Sequence, residues 1–149
     1  MDHTELAYLA GLFDGEGCIM IIKRKGYSHN HKVNPSPRYS LKIQLTNTNK
    51  EVIDWISSFG WYVRENTNLK KQWKRCWVVF LHDIRAKEWL EKLLPVLRIK
   101  KDEAKLAINF QEYKTKFTNG HGRQGLSQEM IIHMEEMKSQ LSELKNQKL

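Results

Sequence analysis

The stretch Leu9-Ala10-Gly11-Leu12-Phe13-Asp14-Gly15-Glu16-Gly17 sets three glycines and two acids at the end of a run that otherwise reads as helix. Asp2, followed three residues later by Glu5, has the spacing of a capping box and opens that helix. A helix over residues 4–14 follows, ended by Gly15 and Gly17. Ala7, Gly11 and Gly15 recur every four residues, so helical geometry gathers them into one strip of minimal side chains where a second backbone can approach closely. Glycine inside a helix costs ~1 kcal/mol relative to alanine, so Gly11 asks for a packing reason. A second helix crossing on this strip supplies one. Ala7, Ala10, Gly11, Asp14 and Gly15 are therefore expected at a helix–helix interface, while Leu9, Leu12 and Phe13 lie on another arc and anchor the helix to its own subunit.

Asp14 and Glu16 fall at the helix C-terminus, beside carbonyls that lack intrahelical donors and carry the partial negative end of the dipole. Carboxylate and carbonyl oxygens together suit a hard cation. Mg²⁺ fits best, because it takes only one or two protein carboxylates and lets waters and phosphates complete its shell. If two such helices cross, their Glu16 side chains meet, and paired metal sites could serve two phosphates.

Outward from this helix, residues 18–25 form a β-branched stretch that becomes basic, and residues 38–46 alternate with period two. In the second strand Tyr39, Leu41, Ile43 and Leu45 share one face, and Arg38, Ser40, Lys42, Gln44 and Thr46 the other. Residues 26–37 between them, with His29-Asn30-His31-Lys32 and Asn34-Pro35-Ser36-Pro37, read as a long exposed basic connection. Thr48 and Glu51 have capping spacing for a helix whose apolar face is Val52, Ile53, Ile56 and Phe59, stopped by Gly60. Strands near 61–66 and 73–81 follow. Asp83 is expected to cap a helix bearing Ala86, Trp89, Leu90, Leu93, Leu94 and Leu97 on one stripe, with Pro95 disturbing its end. Another helix runs over 102–116. After a Gly-rich linker at 118–126, Ser127 caps a last helix with Met130, Met134, Met137, Leu141 and Leu144 in heptad-like steps. With barely two heptads it is expected to pack on its own subunit.

The order α-β-β-α-β-β-α plus a C-terminal helix implies an α+β fold, an antiparallel sheet with helices on one face and the other face free. Residues 1–117 make one domain, and 127–149 an appended helix. With 25 Lys and Arg against 17 Asp and Glu, the net charge of +8 favours a polyanionic partner such as nucleic acid. No run of ~18 apolar residues occurs and no secretory leader opens the chain, so no membrane role is expected. Cys18 and Cys76 are too few and too far apart for a stapled scaffold or clustered zinc site, which suits a reducing compartment. There is no internal repeat, so any two-fold symmetry must come from a second copy.

The nine residues 9–17 resemble the LAGLIDADG signature of homing endonucleases, with Phe13, Gly15 and Glu16 at positions that vary within the family. The resemblance extends in element order over about the first 115 residues. It includes Leu94-Pro95-Val96-Leu97-Arg98-Ile99-Lys100-Lys101, similar to the segment that supplies the family's active-site lysine. It implies the endonuclease αββαββα fold with a saddle-shaped antiparallel sheet, and a single-motif subunit working as a homodimer. The partner implied is double-stranded DNA with a long, roughly palindromic target, cut on both strands to leave short 3′ extensions.

Residue by residue, the resemblance makes Glu16 the catalytic metal ligand, joined by the carbonyl of Gly15, and gives Asp14 a structural role. Lys100 stands where a cation supports phosphate or metal-bound water, and Asn47 where a polar residue orients solvent. Where relatives place an arginine a little further on, this chain has Glu51. The metal implied is Mg²⁺, with Mn²⁺ expected to substitute and Ca²⁺ to bind without supporting cleavage. One sheet face is expected in the major groove, so Arg24, Arg38, Ser40, Lys42, Gln44, Arg64, Asn66 and Arg75 are candidate DNA contacts. Among them Gln44 suits adenine, and Arg38 or Lys42 suits guanine or phosphate. The parity of the fourth strand, and with it the side taken by Lys74 and Arg75, is left open by the pattern. Two other readings use the same basic surface: a maturase that binds its host intron RNA, and a DNA-binding regulator without chemistry. Keeping Glu16 and Lys100 favours the nuclease, since neither alternative needs them. The expected location is intracellular, in a prokaryotic or phage-host cytoplasm or an organelle matrix or stroma.

Overall fold

A computed structural model describes residues 1–26, 28–29, 32–33, 36–67, 70, 73–118 and 125–148. Helix α1 (His3–Glu16) leads into β1 (Gly17–Arg24), and a short hairpin of β2 (Ser28–His29) and β3 (Lys32–Val33) precedes β4 (Arg38–Asn47). Then come α2 (Lys50–Ser57), β5 (Tyr62–Glu65), β6 (Trp77–His82), α3 (Asp83–Leu93), α4 (Lys101–Thr118) and α5 (Gln128–Asn146). Apart from the inserted hairpin, this is the expected αββαββα order with helix added at the C-terminal end. Of the expected linker, residues 119–124 lie outside the described residues, as do Asn30 and His31.

The main sheet has four strands in the order β1-β4-β6-β5, and every neighbouring pair is antiparallel. The alternation in β4 produces its layering: Tyr39, Leu41, Ile43 and Leu45 are buried, and the residues between them are half-buried or exposed. The register sets Ile43 against Ile19 on one side and Leu81 on the other, and all three are fully buried. Helices cover that face. Ile53 and Ile56 of α2, Ala86, Leu90 and Leu93 of α3, and Ala104, Ala107 and Phe110 of α4 close one core with it. Each fully buried Leu, Ile or Phe contributes ~1.5–3 kcal/mol of transfer free energy. An aromatic chain ties three helices together, from Tyr8 to Trp55 (ring centroids 5.6 Å apart), Phe59 (5.4 Å) and Trp89 (6.4 Å).

Helix α5 packs back on its own subunit, as its short heptad pattern suggests. Met134 and Leu141 are buried, and Tyr39 donates its hydroxyl to Glu135 at 2.5 Å. Lys145 donates to the carbonyl of Ile19 on β1, an edge strand whose outer backbone groups would otherwise be unpaired.

Three local expectations are corrected. Asn49, not Thr48, caps α2, its side chain accepting from the amide of Val52, because Asn47 Oδ1 accepts from the amide of Asn49 at 2.8 Å and turns the chain one residue later. Asp83 does not cap α3 but is its first residue, with φ +49°, and its carboxylate is drawn instead to the amide of Leu41 and to Lys114. The fourth strand starts at Trp77 rather than Trp73, whose ring is exposed.

Candidate active site and nucleic-acid face

Helix α1 has two distinct faces, and the motif divides between them. Leu9, Ala10 and Phe13 have no exposed surface and pack in the core. Ala10 is thereby removed from the expected interface, since its own subunit leaves it nothing to offer a partner. Asp14 is also buried, and its carboxylate accepts three backbone amides: Arg98 at 2.7 Å, Ile99 at 3.1 Å and Lys100 at 3.0 Å. That is the work of a brace, as its structural role implies. It too leaves the interface set.

Ala7, Gly11, Gly15 and Glu16 are exposed and line one shallow groove with Tyr8 and Leu12. A Cβ built on Gly11 or Gly15 would meet nothing within 4 Å. Nothing among the described residues therefore demands glycine at either position. Gly17 is different: a Cβ there would stand 2.5 Å from the ring and the carbonyl of Phe13, so only glycine lets the chain turn from α1 into β1.

The brace on Asp14 brings Lys100 to the end of α1, where its ammonium donates to the carbonyl of Asp14 at 2.5 Å. An ammonium has three donors, so two remain for other partners. The carbonyl of Gly15 lies in the same last turn, where helical carbonyls have no intrahelical donor. Glu16 is the exposed acid there. Leu45 pairs with Gly17, so Asn47, two residues further along β4, lies at this same end of the sheet. Its Oδ1 is committed to the amide of Asn49, which leaves its NH₂ group for solvent or substrate. Among the described residues no three His, Cys, Asp or Glu converge on a metal site. One subunit offers one carboxylate at this point, and the donor set fits a Mg²⁺ ion that draws its remaining ligands from phosphates, waters and a second acid.

Among the described residues no helix covers the other face of the sheet. By register it carries Arg24, Arg38, Ser40, Lys42, Gln44 and Arg64, six of the eight candidate contacts. Asn66 lies just past β5, its amide bonded to the carbonyl of Cys76. Arg75 is corrected: it forks onto Glu65 through two hydrogen bonds of 2.5 and 3.0 Å and lies over the Trp77 ring, and both partners have the opposite strand parity to Arg64. Four of the six on the open face are cationic, namely Arg24, Arg38, Lys42 and Arg64. Burial first, then the neighbouring Arg64 and Arg24, push the Lys42 ammonium below its ordinary value.

Sequence reasoning missed Tyr62, Phe80 and His82, which the register places on this open face, because their parity is fixed only by the pairing of β6 with β4 and of β5 with β6. It also missed a cleft of about 350 Å³ at the far end of the sheet from Glu16, lined by Arg24, Arg38, Ser40, His82, Asp83 and Lys114. That is roughly ten times one water's share of ~30 Å³, room enough for a phosphate group.

A fold of this kind, with a carboxylate and a lysine at the end of a glycine-faced helix above a basic sheet, defines a class of metal-assisted nuclease subunit. The family model described as LAGLIDADG endonuclease matches residues 9–115, and the chain belongs to that family. No curated relative matches it. Among solved structures it is similar to the homing endonuclease I-CvuI in complex with the I-CreI target in the presence of 2 mM Mg, the DNA not cleaved (17% identity, 95% of this chain and 82% of that one, TM-score 0.72). It is also similar to the archaeal intron-encoded homing endonuclease I-Vdi141I complexed with DNA (14%, 95% and 84%, TM-score 0.73). A third similar structure is the meganuclease I-SmaMI bound to uncleavable DNA (14%, 90% of this chain but 43% of that one, TM-score 0.65).

Proposed function

We propose that this chain is a homing endonuclease that dimerises through the outer face of α1 and hydrolyses one phosphodiester on each strand of a DNA duplex, inside the cell that holds its target. The observation that carries this reading is the exposed Ala7, Gly11 and Gly15 strip, whose two glycines no contact among the described residues explains and which ends on Glu16, with the Lys100 ammonium bonded to the Asp14 carbonyl in the same helix end. A second copy crossing on the strip brings two Glu16 carboxylates together.

Glu16 and the carbonyl of Gly15 would hold the divalent ion, which when bound polarises the phosphoryl oxygen and activates a water. Lys100, held by its hydrogen bond to Asp14, presents its remaining donors where charge grows on the phosphate. Asn47 orients solvent through its free NH₂ group. The open face enters the major groove of a long, roughly palindromic site, with Gln44 paired to adenine and Arg24, Arg38, Lys42 and Arg64 meeting phosphates or guanines. The experiment is direct: incubate the protein with a pool of randomised duplexes and Mg²⁺, then sequence the cut ends. Paired nicks a fixed few nucleotides apart support the reading. Tight binding of RNA or DNA without any cut end overturns it in favour of a maturase or a regulator.

A further inference from the structure

Phe80 and Tyr62 are large rings on the face of the sheet that no helix covers among the described residues. The register places them in a single transverse row with two others, Cys18 opposite Gln44, Gln44 opposite Phe80, and Phe80 opposite Tyr62. The two rings lie 5.8 Å apart, and Tyr62 is 54% exposed. Neither belongs to the core, so core packing does not account for an aromatic pair at this place. Cations border it: Lys42 Nζ stands 5.2 Å and Arg64 Cζ 5.9 Å from the centroid of Phe80, and Arg85 5.1 Å from that of Tyr62.

An apolar patch inside a cationic border is complementary to an apolar group flanked by phosphates. In the major groove that group is the C5 methyl of thymine, the one apolar feature among the base edges. Resting on the reading that this face enters the groove, we propose that Phe80, supported by Tyr62, is a thymine-methyl contact and a determinant of target sequence. Gln44 lies one strand away, about 4.8 Å, with an amide suited to adenine N6 and N7. The row then reads an A·T pair from both halves, amide on the adenine and ring on the methyl of its thymine or of the adjoining one. A cytosine at that place presents an amino donor and no methyl.

The test begins by selecting bound sites from a randomised duplex pool in Ca²⁺. The selected site is then rebuilt with deoxyuridine replacing thymine one position at a time, which deletes a single methyl and leaves the pairing intact. One methyl is worth ~0.8 kcal/mol of burial, or about fourfold in affinity. We expect one thymine in each half-site whose loss of methyl weakens binding about fourfold, beside an adenine whose preference Gln44→Ala relaxes. Phe80→Ala should be indifferent to that methyl, and Phe80→Leu should keep part of the discrimination. Because the deoxyuridine series uses the unaltered protein, it decides even if a variant fails to fold. Uniform tolerance of deoxyuridine, or a methyl effect that survives Phe80→Ala, overturns the assignment. A pool from which no site is enriched overturns the DNA-binding reading itself, and this inference with it.

Discussion

The inner and outer faces of α1 are held to their residues by different demands. On the inner face Leu9, Ala10 and Phe13 are sealed in the core and Asp14 gathers three amides of residues 98–100, so each identity is explained by contacts within one chain. On the outer face Gly11 and Gly15 have open space around them, and Glu16 ends the helix with its carboxylate exposed. No contact among the described residues accounts for those identities, and the proposed second copy would. Inner-face substitutions should therefore be read in stability, and outer-face ones in association and chemistry. The two faces meet at Lys100, whose backbone amide is bonded to the Asp14 carboxylate and whose ammonium is bonded to the Asp14 carbonyl at the helix end.

The largest expected effect tests the inner face. Asp14→Ala strips three partly buried amides of a charged acceptor, and leaving such groups unsatisfied costs about 3–5 kcal/mol in sum. The denaturant midpoint should fall accordingly, and cleavage should fall with it as Lys100 loses its placement. An unchanged midpoint would mean that the brace is unimportant.

Glu16→Gln tests the outer face, and its expected pattern is the reverse. Stability and binding of the selected duplex in Ca²⁺ should persist, while the cleavage rate in Mg²⁺ falls on the order of 10²-fold or more, by analogy with removal of other groups that stabilise transition-state charge. Lys100→Met should slow cleavage by less. If Glu16→Gln unfolded the chain, the division between faces would be wrong.

A smaller effect concerns the open sheet. Burial first, then the nearby charges of Lys42 and Arg24, push the His82 imidazole below its usual 6.5, against the upward pull of Asp83 and of a backbone hydrogen bond with Leu41. The folded state thus takes up its proton at lower pH than the unfolded state. The stability this provides is complete above pH 6.5 and is lost as the pH falls through the lowered value. His82→Gln should flatten that part of the stability profile, read by thermal melts across pH 5–7, and an identical slope in the variant would remove His82 as its source.

Much of this arrangement is legible in the sequence wherever one period or one spacing decides it. The alternation in β4 fixes its two faces without help, the capping box of Asp2 and Glu5 forms as spaced, and the nine-residue motif forms the last turns of α1 with Asp14 buried and Glu16 exposed. What is not legible depends on geometry supplied from elsewhere in the chain. Ala10 is small like Gly11 and only one residue from it, but a helical step of about 100° carries it into the core. Asp83 has the composition of a helix cap, yet Leu41 and Lys114, 42 and 31 residues away, claim its carboxylate. The parity of Phe80 follows from the pairing of β6 with β4, and that of Tyr62 from the pairing of β5 with β6, neither of which the local pattern reveals.

The central claim is that the outer strip of α1 is completed by a second copy, and mass together with cleavage tests it. The unaltered chain of 17.7 kDa should behave in light scattering as a particle of twice that mass and cut both strands of its selected site. Gly11→Leu, which places a branched side chain where the subunit itself has room, should fold and melt normally, yet run as a monomer and lose double-strand cleavage. A Gly11→Leu protein that keeps the doubled mass, or an unaltered chain that cuts both strands as a monomer, would contradict the account.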